Sequence, residues 1–357
     1  NFIDKDIKKG AKEIVTEKKI IKKKENINFL YFSKVIKLLA KIYNDIPKNI
    51  IAVTGTNGKS SIADFYYQIL DLNKKKVASI GTLGVKTNES FQSLPNTTID
   101  PLNLSLLLRD LKKRKIENVI MEASSHGLKQ HRLDGLYFNT GIFTNLSHDH
   151  LDYHKNMKDY LNSKLYLFKK LIKRNGNVIT DKSIPQFRKI KKVCKNNNLK
   201  LNFLSSNKEN SQIEIKSHNY QGEGQLIELA YKKLRFKFVL HLIGKVQITN
   251  VLMAAIAAEK SGIKVNSIFN KLSKIKPVNG RLEKIGKINN NSKVILDYAH
   301  TPDALKTVLE NIKDQFFNKK ISIVFGCGGD RDKTKRMLMG RLANLYCDKI
   351  FLTDDNL

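Results

Sequence analysis

An apolar run, Ile50-Ile51-Ala52-Val53, leads directly into Thr54-Gly55-Thr56-Asn57-Gly58-Lys59-Ser60. Beyond it, Ile62, Phe65, Tyr66, Ile69 and Leu70 recur at helical spacing. The order is strand, glycine turn, helix. Gly55 and Gly58 let the backbone aim its N–H groups at an anion, the helix N-terminus adds partial positive charge, and Lys59 adds a full one. Thr56, Asn57, Ser60 and Ser61 complete the loop, and Ser60 is placed to offer a hydroxyl to a magnesium ion held by the same phosphates. The usual phosphate-loop spacing asks for glycine at position 53, where this chain has Val53, so the loop is a shortened variant. Nucleotide phosphate binding is the expectation; the competing reading is an ordinary glycine turn before a helix.

With 357 residues, two or three domains are expected. No stretch of about 18 apolar residues predicts a membrane span. No signal peptide is visible, and Cys194, Cys327 and Cys347 form no disulfide or zinc pattern; a cytoplasmic protein is expected. The net charge of +32 invites a nucleic-acid reading. The charge is nearly all lysine, spread along the chain beside abundant asparagine and isoleucine. That is the mark of AT-rich codon usage rather than of a surface clustering arginine with aromatics. Small acidic substrates rather than nucleic acid are the expected partners.

Residues 1–47 are lysine-rich, with a helix and then a strand expected up to Val15 and a helix over 30–42. From 48 onward strands at 50–54, 77–80, 118–123, 141–146 and 177–180 alternate with helices, notably 102–113 and 158–172. This is an α/β pattern with a mostly parallel sheet. Segments 212–216 and 226–240 alternate like a hairpin, and 248–261 reads as a buried helix. After Pro277 and Gly280, strands at 293–298, 321–325 and 349–353 and helices at 303–316 and 335–346 read as the start of a βαβαβ unit. With Asn1 in place of Met and no helix after the last strand, the sequence reads as part of a longer chain.

Two further stretches carry chemistry. Glu122, in Met121-Glu122-Ala123-Ser124-Ser125-His126-Gly127, ends a strand where α/β sheets bind ligands, and it is a candidate magnesium ligand or a capping carboxylate. Thr144 to His154 holds three histidines and two aspartates in its last seven residues. It approaches a binuclear-hydrolase metal motif with the spacing off by one residue; alternatively one imidazole ligates a metal beside ATP. Lys164, on a helix, reads by composition as one solvent-exposed lysine among many. Phe325 to Lys333 is a second glycine-rich turn, in which Arg331 is suited to clamp a carboxylate or phosphate.

Eight ordered stretches together resemble the Mur ligase family: 55–60, 96–98, 121–132, 144–154, 280–283, 297–303, 326–336 and 354–356. The resemblance, to the family's diamino-acid-adding members, implies an ATP-dependent ligase of peptidoglycan synthesis. It would add meso-diaminopimelate or L-lysine to UDP-MurNAc-L-Ala-D-Glu through an acyl phosphate. It implies ATP held by Gly55 to Ser61, with Asn250, Arg281, Asp297 and His300 nearby. Magnesium would sit on Ser60, Glu122, His150 and a carbamylated Lys164, which reverses the compositional reading of that lysine. Thr97, Thr98, Ser124, Gln130 and Arg132 match contacts to the nucleotide-sugar dipeptide; Arg331, Asp355 and Asn356 match the amino-acid pocket. Lys59, Glu122, His150 and Lys164 are the implied catalytic set.

The implied domains are 1–47, the remnant of a UDP-binding domain; 48–276, the central ATP-binding domain; and 277–357, a truncated Rossmann-like amino-acid-binding domain. Val246-Gln247 departs from the family's Phe-Asn, Thr97-Thr98-Ile99-Asp100 from Thr-Thr-Pro-Asp, and Asp355-Asn356-Leu357 stops short of the arginine of Asp-Asn-Pro-Arg. The alternatives are a folylpolyglutamate synthase-like ligase, which shares the phosphate loop, and a basic nucleic-acid-binding ATPase.

Overall fold

A computed structural model describes residues 7–10, 12–16, 28–31, 42–205, 213–288, 291–327 and 334–354. A short parallel pair, β1 (Glu13–Thr16) and β2 (Asn28–Tyr31), precedes the main body. There follow β3 (Asn49–Thr54), α1 (Lys59–Leu72), β4 (Val77–Gly81), β5 (Gly84–Thr87), β6 (Phe91–Gln92), α2 (Pro101–Lys113), β7 (Asn118–Glu122), α3 (Ser125–Lys129), β8 (Phe138–Phe143) and α4 (Met157–Tyr166). Next come β9 (Ile172–Asp181), α5 (Phe187–Asn196), β10 (Lys200–Ser205), β11 (Ile213–Gln221), β12 (Gly224–Tyr231), β13 (Leu234–Leu240), α6 (Lys245–Lys260) and α7 (Val265–Phe269).

These strands form one 11-stranded sheet in the order β13-β12-β11-β10-β9-β8-β3-β7-β4-β5-β6. From β11 to β4 every pairing is parallel, and antiparallel hairpins close both edges. β3 is central because both its faces are apolar. Ile51 and Val53 pack under α1 and α6, while Ile50 and Ala52 face the opposite layer, built from α2, α4 and α5. α6 carries Ile248, Val251, Leu252, Ala255 and Ala258, all buried, so its small and branched residues lie between the sheet and α1. α2 starts where Asp100 accepts from the Leu102 and Asn103 amides, both at 3.1 Å, with Pro101 in the first turn.

Several expectations change. The strand expected over 141–146 is β8, beginning at Phe138 and stopping at Phe143. The Thr144 amide makes the last bond to β3, at the Thr54 carbonyl, and beyond it the Thr144 hydroxyl and the Asn145 carbonyl bond the phosphate loop at Asn57 and Thr56. The hairpin region is three strands: 226–240 is itself a hairpin, turning at Lys232 and Lys233 with φ of 50° and 68°, the geometry of a primed turn. The strand expected over 177–180 extends from Ile172 to Asp181. Leu30 and Tyr31 lie in β2 rather than in a helix, and most of the 30–42 helix lies outside the described residues. α5, β10 and the β5–β6 hairpin had no clear signal.

In the C-terminal part, β14 (Glu283–Lys287) pairs antiparallel with β15 (Lys293–Leu296), followed by α8 (Pro302–Gln315). β16 (Ser322–Phe325) and β17 (Lys349–Leu352) pair parallel around α9 (Thr334–Tyr346). Among the described residues no ladder joins the two pairs into the expected βαβαβ sheet. Among the same residues no helix is long and apolar enough to cross a membrane.

Leu252, 1 % exposed in the core that α6 shares with α1 and the sheet, is expected to lose about 2–5 kcal/mol of stability as Leu252→Ala. Asp100→Ala should lose only about 0.5–2 kcal/mol, because a cap is a single surface interaction. Urea melts of the two variants check the ranking, and equal losses would contradict this layer assignment.

Candidate functional site

The carboxyl ends of β3, β7 and β8 lie side by side, and the chain reverses its winding there; that is where open α/β sheets bind ligands. The loop after β3 is locked to the loop after β8. The Thr56 amide donates to the Asn145 carbonyl (3.0 Å), the Asn57 amide to Asn145 Oδ1 (2.9 Å), and Thr144 Oγ1 to the Asn57 carbonyl (2.6 Å). Gly55 is required here, since a Cβ on it would lie 1.7 Å from Thr144 Oγ1. Gly58 takes φ +85°, and a Cβ there would press on Asn250 Oδ1 at 2.9 Å. α1 begins at Gly58 without a side-chain cap, which leaves first-turn amides free for an anion.

Two lysines meet at one backbone oxygen. Lys59 Nζ donates to the carbonyls of Gly55 (3.0 Å) and Thr56 (2.7 Å), and Lys164 Nζ donates to the same Gly55 carbonyl (2.7 Å). Lys164 is 1 % exposed, inside α4 and over the Tyr160 ring, so the solvent-exposed reading is wrong. An amphipathic helix face hides a lysine from compositional reasoning when its ammonium reaches a buried carbonyl. Burial, reinforced by the Lys59 charge, holds the Lys164 amine well below its ordinary pKa. Burial also lowers Lys59, against the opposing pull of Glu122.

Glu122 is buried at the end of β7. It accepts from the Thr82 amide (2.9 Å) and hydroxyl (3.2 Å), and a Cβ on Gly81 would collide with its carboxylate. Ser60 and Glu122 line one cavity of about 820 Å³, together with Gly81, Asp64, Lys86 and Asn279. Behind Glu122, Thr98 Oγ1 bonds its carbonyl (3.0 Å) and accepts from the Ser124 amide (3.0 Å). Arg132 donates to the Thr98 carbonyl (2.7 Å), Ser124 caps α3, and Thr97 meets Thr82 hydroxyl to hydroxyl at 3.0 Å. Gln130 donates to Tyr153 OH (3.1 Å). Thr97, Thr98, Ser124 and Arg132 therefore border the same strand end, and Gln130 stands at the far end of α3.

In the histidine-rich stretch, His150 takes a left-handed φ of 54° and faces His126 edge-on, ring centroids 4.8 Å apart. Burial, with Lys164 and Lys59 among the nearby charges, pushes its imidazole down to about 4, so it is neutral near pH 7. His154 is also pushed to about 4 by burial; it meets Ser125 Oγ at 3.0 Å. Asp149, which the sequence reading left without a role, is 5 % exposed and stays ionised; burial would raise it, but His150, Lys335 and His300 more than offset that.

From the C-terminal part, Arg281 reaches Ser60 Oγ (3.3 Å) and stacks over Tyr298. Asp297, raised by burial, accepts from the Leu282 (2.7 Å) and Ala299 (2.8 Å) amides and so fixes the turn that carries Arg281. Asn250 donates to Gln247 Oε1 (3.0 Å), and Gln247 to the Arg281 carbonyl (3.1 Å). His300 approaches Asp149 at 3.9 Å. Thus Lys59, Glu122, His150, Lys164, Asn250, Arg281 and His300 converge, whereas Arg331, Asp355 and Asn356 lie outside the described residues. Gly81, Thr82, Asp149, Tyr160 and Lys335 carry no individual signal in the sequence; Asp149 and Lys335 sit in the family-like stretches 144–154 and 326–336, which could have flagged them.

The donor set suits a hard cation. Ser60 and Glu122 supply oxygen, and among the described residues no three histidine, cysteine or acidic side chains form a self-sufficient metal cage. That composition matches magnesium, which shares its shell with phosphates and water rather than filling an all-protein site.

Two family profiles match this chain: the Mur ligase middle domain over residues 53–258, and the Mur ligase, glutamate ligase domain over 280–357. A Rickettsia typhi protein named UDP-N-acetylmuramoyl-L-alanyl-D-glutamate--2,6-diaminopimelate ligase is 38 % identical over 366 residues, covering 100 % of this chain and 72 % of the relative. A Zymomonas mobilis protein of the same name is 38 % identical over 360 residues, covering 100 % and 73 %. A solved structure of an enzyme with that name superposes with TM-score 0.77 at 30 % identity, covering 99 % of this chain and 72 % of the other. A folylpolyglutamate synthase–AMPPCP–folate complex, at 17 % identity and TM-score 0.68, shares the fold. The matched residues include the phosphate loop, both lysines and the Arg281 turn, and the chain belongs to the Mur ligase family.

Proposed function

We propose that this protein is an ATP-dependent ligase that joins 2,6-diaminopimelate to UDP-N-acetylmuramoyl-L-alanyl-D-glutamate, releasing ADP and phosphate. The observation that carries the reading is the meeting of Lys59 and Lys164 at the Gly55 carbonyl, with Glu122 and His150 beside them. The names of the curated relatives favour diaminopimelate over lysine as the amine. Residues 48–276 would bind ATP and the acidic substrate, and 277–357 would deliver the amine; 1–47 would belong to a uridine-binding unit.

The chemistry has two steps. A carboxylate resists amine attack because oxide is a poor leaving group, so the substrate carboxylate first takes the terminal phosphoryl group of ATP. Lys59 and the uncapped α1 amides hold the phosphates, and Asn250 and Arg281 brace the loop from the other side. The amine then attacks the acyl phosphate and phosphate leaves. Thr97, Thr98, Ser124, Gln130 and Arg132 would orient the dipeptide; Arg331, Asp355 and Asn356 would hold the incoming amino acid.

Ser60, Glu122, His150 and a carbamylated Lys164 would hold magnesium, which supplies compensation for phosphate charge when bound. The Lys164 amine is suited to carbamylation because burial lowers its pKa and so favours the uncharged amine: its lone pair adds to carbon dioxide, a C–N bond forms, and a proton leaves. The resulting anion would offset the Lys59 charge.

Three outcomes are expected. Full-length protein should release ADP with the UDP-sugar dipeptide plus diaminopimelate and show no stimulation by polynucleotide; the reverse pattern would return the basic-ATPase reading. Lys164→Ala should lose turnover and regain part of it with added short-chain carboxylates, and unchanged turnover would argue against the carbamate. Lys59→Met should lower kcat about 10²–10³-fold, read by coupled ADP assay, with fold retained by circular dichroism.

A further inference from the structure

Asp149 is a nearly buried carboxylate held from two sides of the molecule. Its own loop, after β8, supplies the His150 amide (2.9 Å to Oδ1) and the His150 ring (3.4 Å to Oδ2). The C-terminal part supplies Lys335 from the first turn of α9 (3.3 Å to Oδ1) and His300 from the loop before α8 (3.9 Å to Oδ2). Lys335 is itself only 14 % exposed. His300 is oriented for this contact, because its Nδ1–H donates to the Tyr298 carbonyl (3.1 Å) and turns Nε2 toward Asp149.

We propose that Asp149 is a positioning residue: an interlobe clamp by which Lys335 and His300 seat the C-terminal part over the phosphate loop and set the His150 backbone at the same time. The argument rests on desolvation. A carboxylate this buried is strongly unfavourable without cationic partners, and two of its partners exist only when the two parts of the chain are together. Asp149 therefore favours the assembled arrangement over any in which α9 has moved away. The same carboxylate binds the His150 amide, and His150 holds a left-handed φ, so its strained backbone is fixed by the group that receives Lys335. Bringing in the amine-carrying part and presenting His150 to the phosphates become one event. The inference builds on the ligase reading, since it assigns amine delivery to the C-terminal part.

The experiment uses Lys335→Met, Lys335→Arg, Asp149→Asn and the Lys335→Met/Asp149→Asn double variant of the full-length protein. Lys335→Met should raise the KM for diaminopimelate about tenfold and leave that for the UDP-sugar dipeptide within about twofold, with Lys335→Arg recovering most of the loss. The double variant should be no worse than the poorer single variant, because the coupling is already lost. In small-angle scattering with a non-hydrolysable ATP analogue, wild type should become more compact and Lys335→Met should not.

Additive losses, equal effects on both substrates, or undiminished compaction in Lys335→Met would overturn the clamp. If Asp149→Asn does not fold, Lys335→Met against Lys335→Arg still decides, since both changes sit on a helix at the edge of the contact. A wild-type protein that ligates no diaminopimelate would remove the functional reading and leave the scattering comparison to judge the clamp alone.

Discussion

One backbone oxygen organises this site. The Gly55 carbonyl accepts from both Lys59 and Lys164, side chains that reach it from α1 and from α4 on opposite faces of the sheet. Two like charges a few ångströms apart in a poorly solvated place repel by a few kcal/mol even at an effective dielectric near 20. The fold eases the repulsion because burial and the Lys59 charge lower the pKa of the Lys164 amine, and because Glu122 and Asp149 lie close enough to act on Lys59. The resting site is therefore short of negative charge, the state expected of a pocket that receives phosphates.

That carbonyl is held in place by absent side chains. Thr144 occupies the space a Cβ on Gly55 would need, and Glu122 occupies the space beside Gly81. Each close approach ties the end of one parallel strand to a neighbour: β3 to the loop after β8, and β4 to the end of β7. The alternation of Ile51 and Val53 against Ile50 and Ala52 makes β3 the middle strand, and the middle strand at a winding reversal has a neighbour on each side to supply such loops. The hydrophobic pattern thus decides where the chemistry sits before any polar residue is considered.

The legible parts of the sequence were those with local causes. The strand–glycine–helix order from Ile50 to Leu70 required only neighbours along the chain, and β3 and α1 stand where that order put them. The ends of elements depended on distant partners. β8 stops at Phe143 because residues 144 and 145 are drawn to the phosphate loop, some 90 residues earlier, and no local propensity records that. Lys164 was misjudged from composition for the same reason: one lysine among many looks solvated until its acceptor, 109 positions away, is known. Its recovery came from motif resemblance, which carries long-range information that spacing lacks. Asp149 stood in a conspicuous run of histidines and acids, yet its role depends on Lys335, 186 residues on.

The overall charge of +32 illustrates how a global number misleads about a local field. Surface lysines are screened within about 8–10 Å at physiological salt, so they contribute little inside the cleft. What acts on a bound phosphate is the small set within reach: Lys59, Arg281 and the uncapped α1 amides on one side, Glu122 and Asp149 on the other. Of the two acids, Glu122 is held by neutral donors from Thr82, while Asp149 is held by Lys335 and His300 from the C-terminal part. Glu122 thus faces the cavity without a cationic partner from the C-terminal part, and Asp149 is engaged by Lys335 and His300. The same functional group serves electrostatics in one case and assembly in the other, and the difference lies in which partners the fold brings to it.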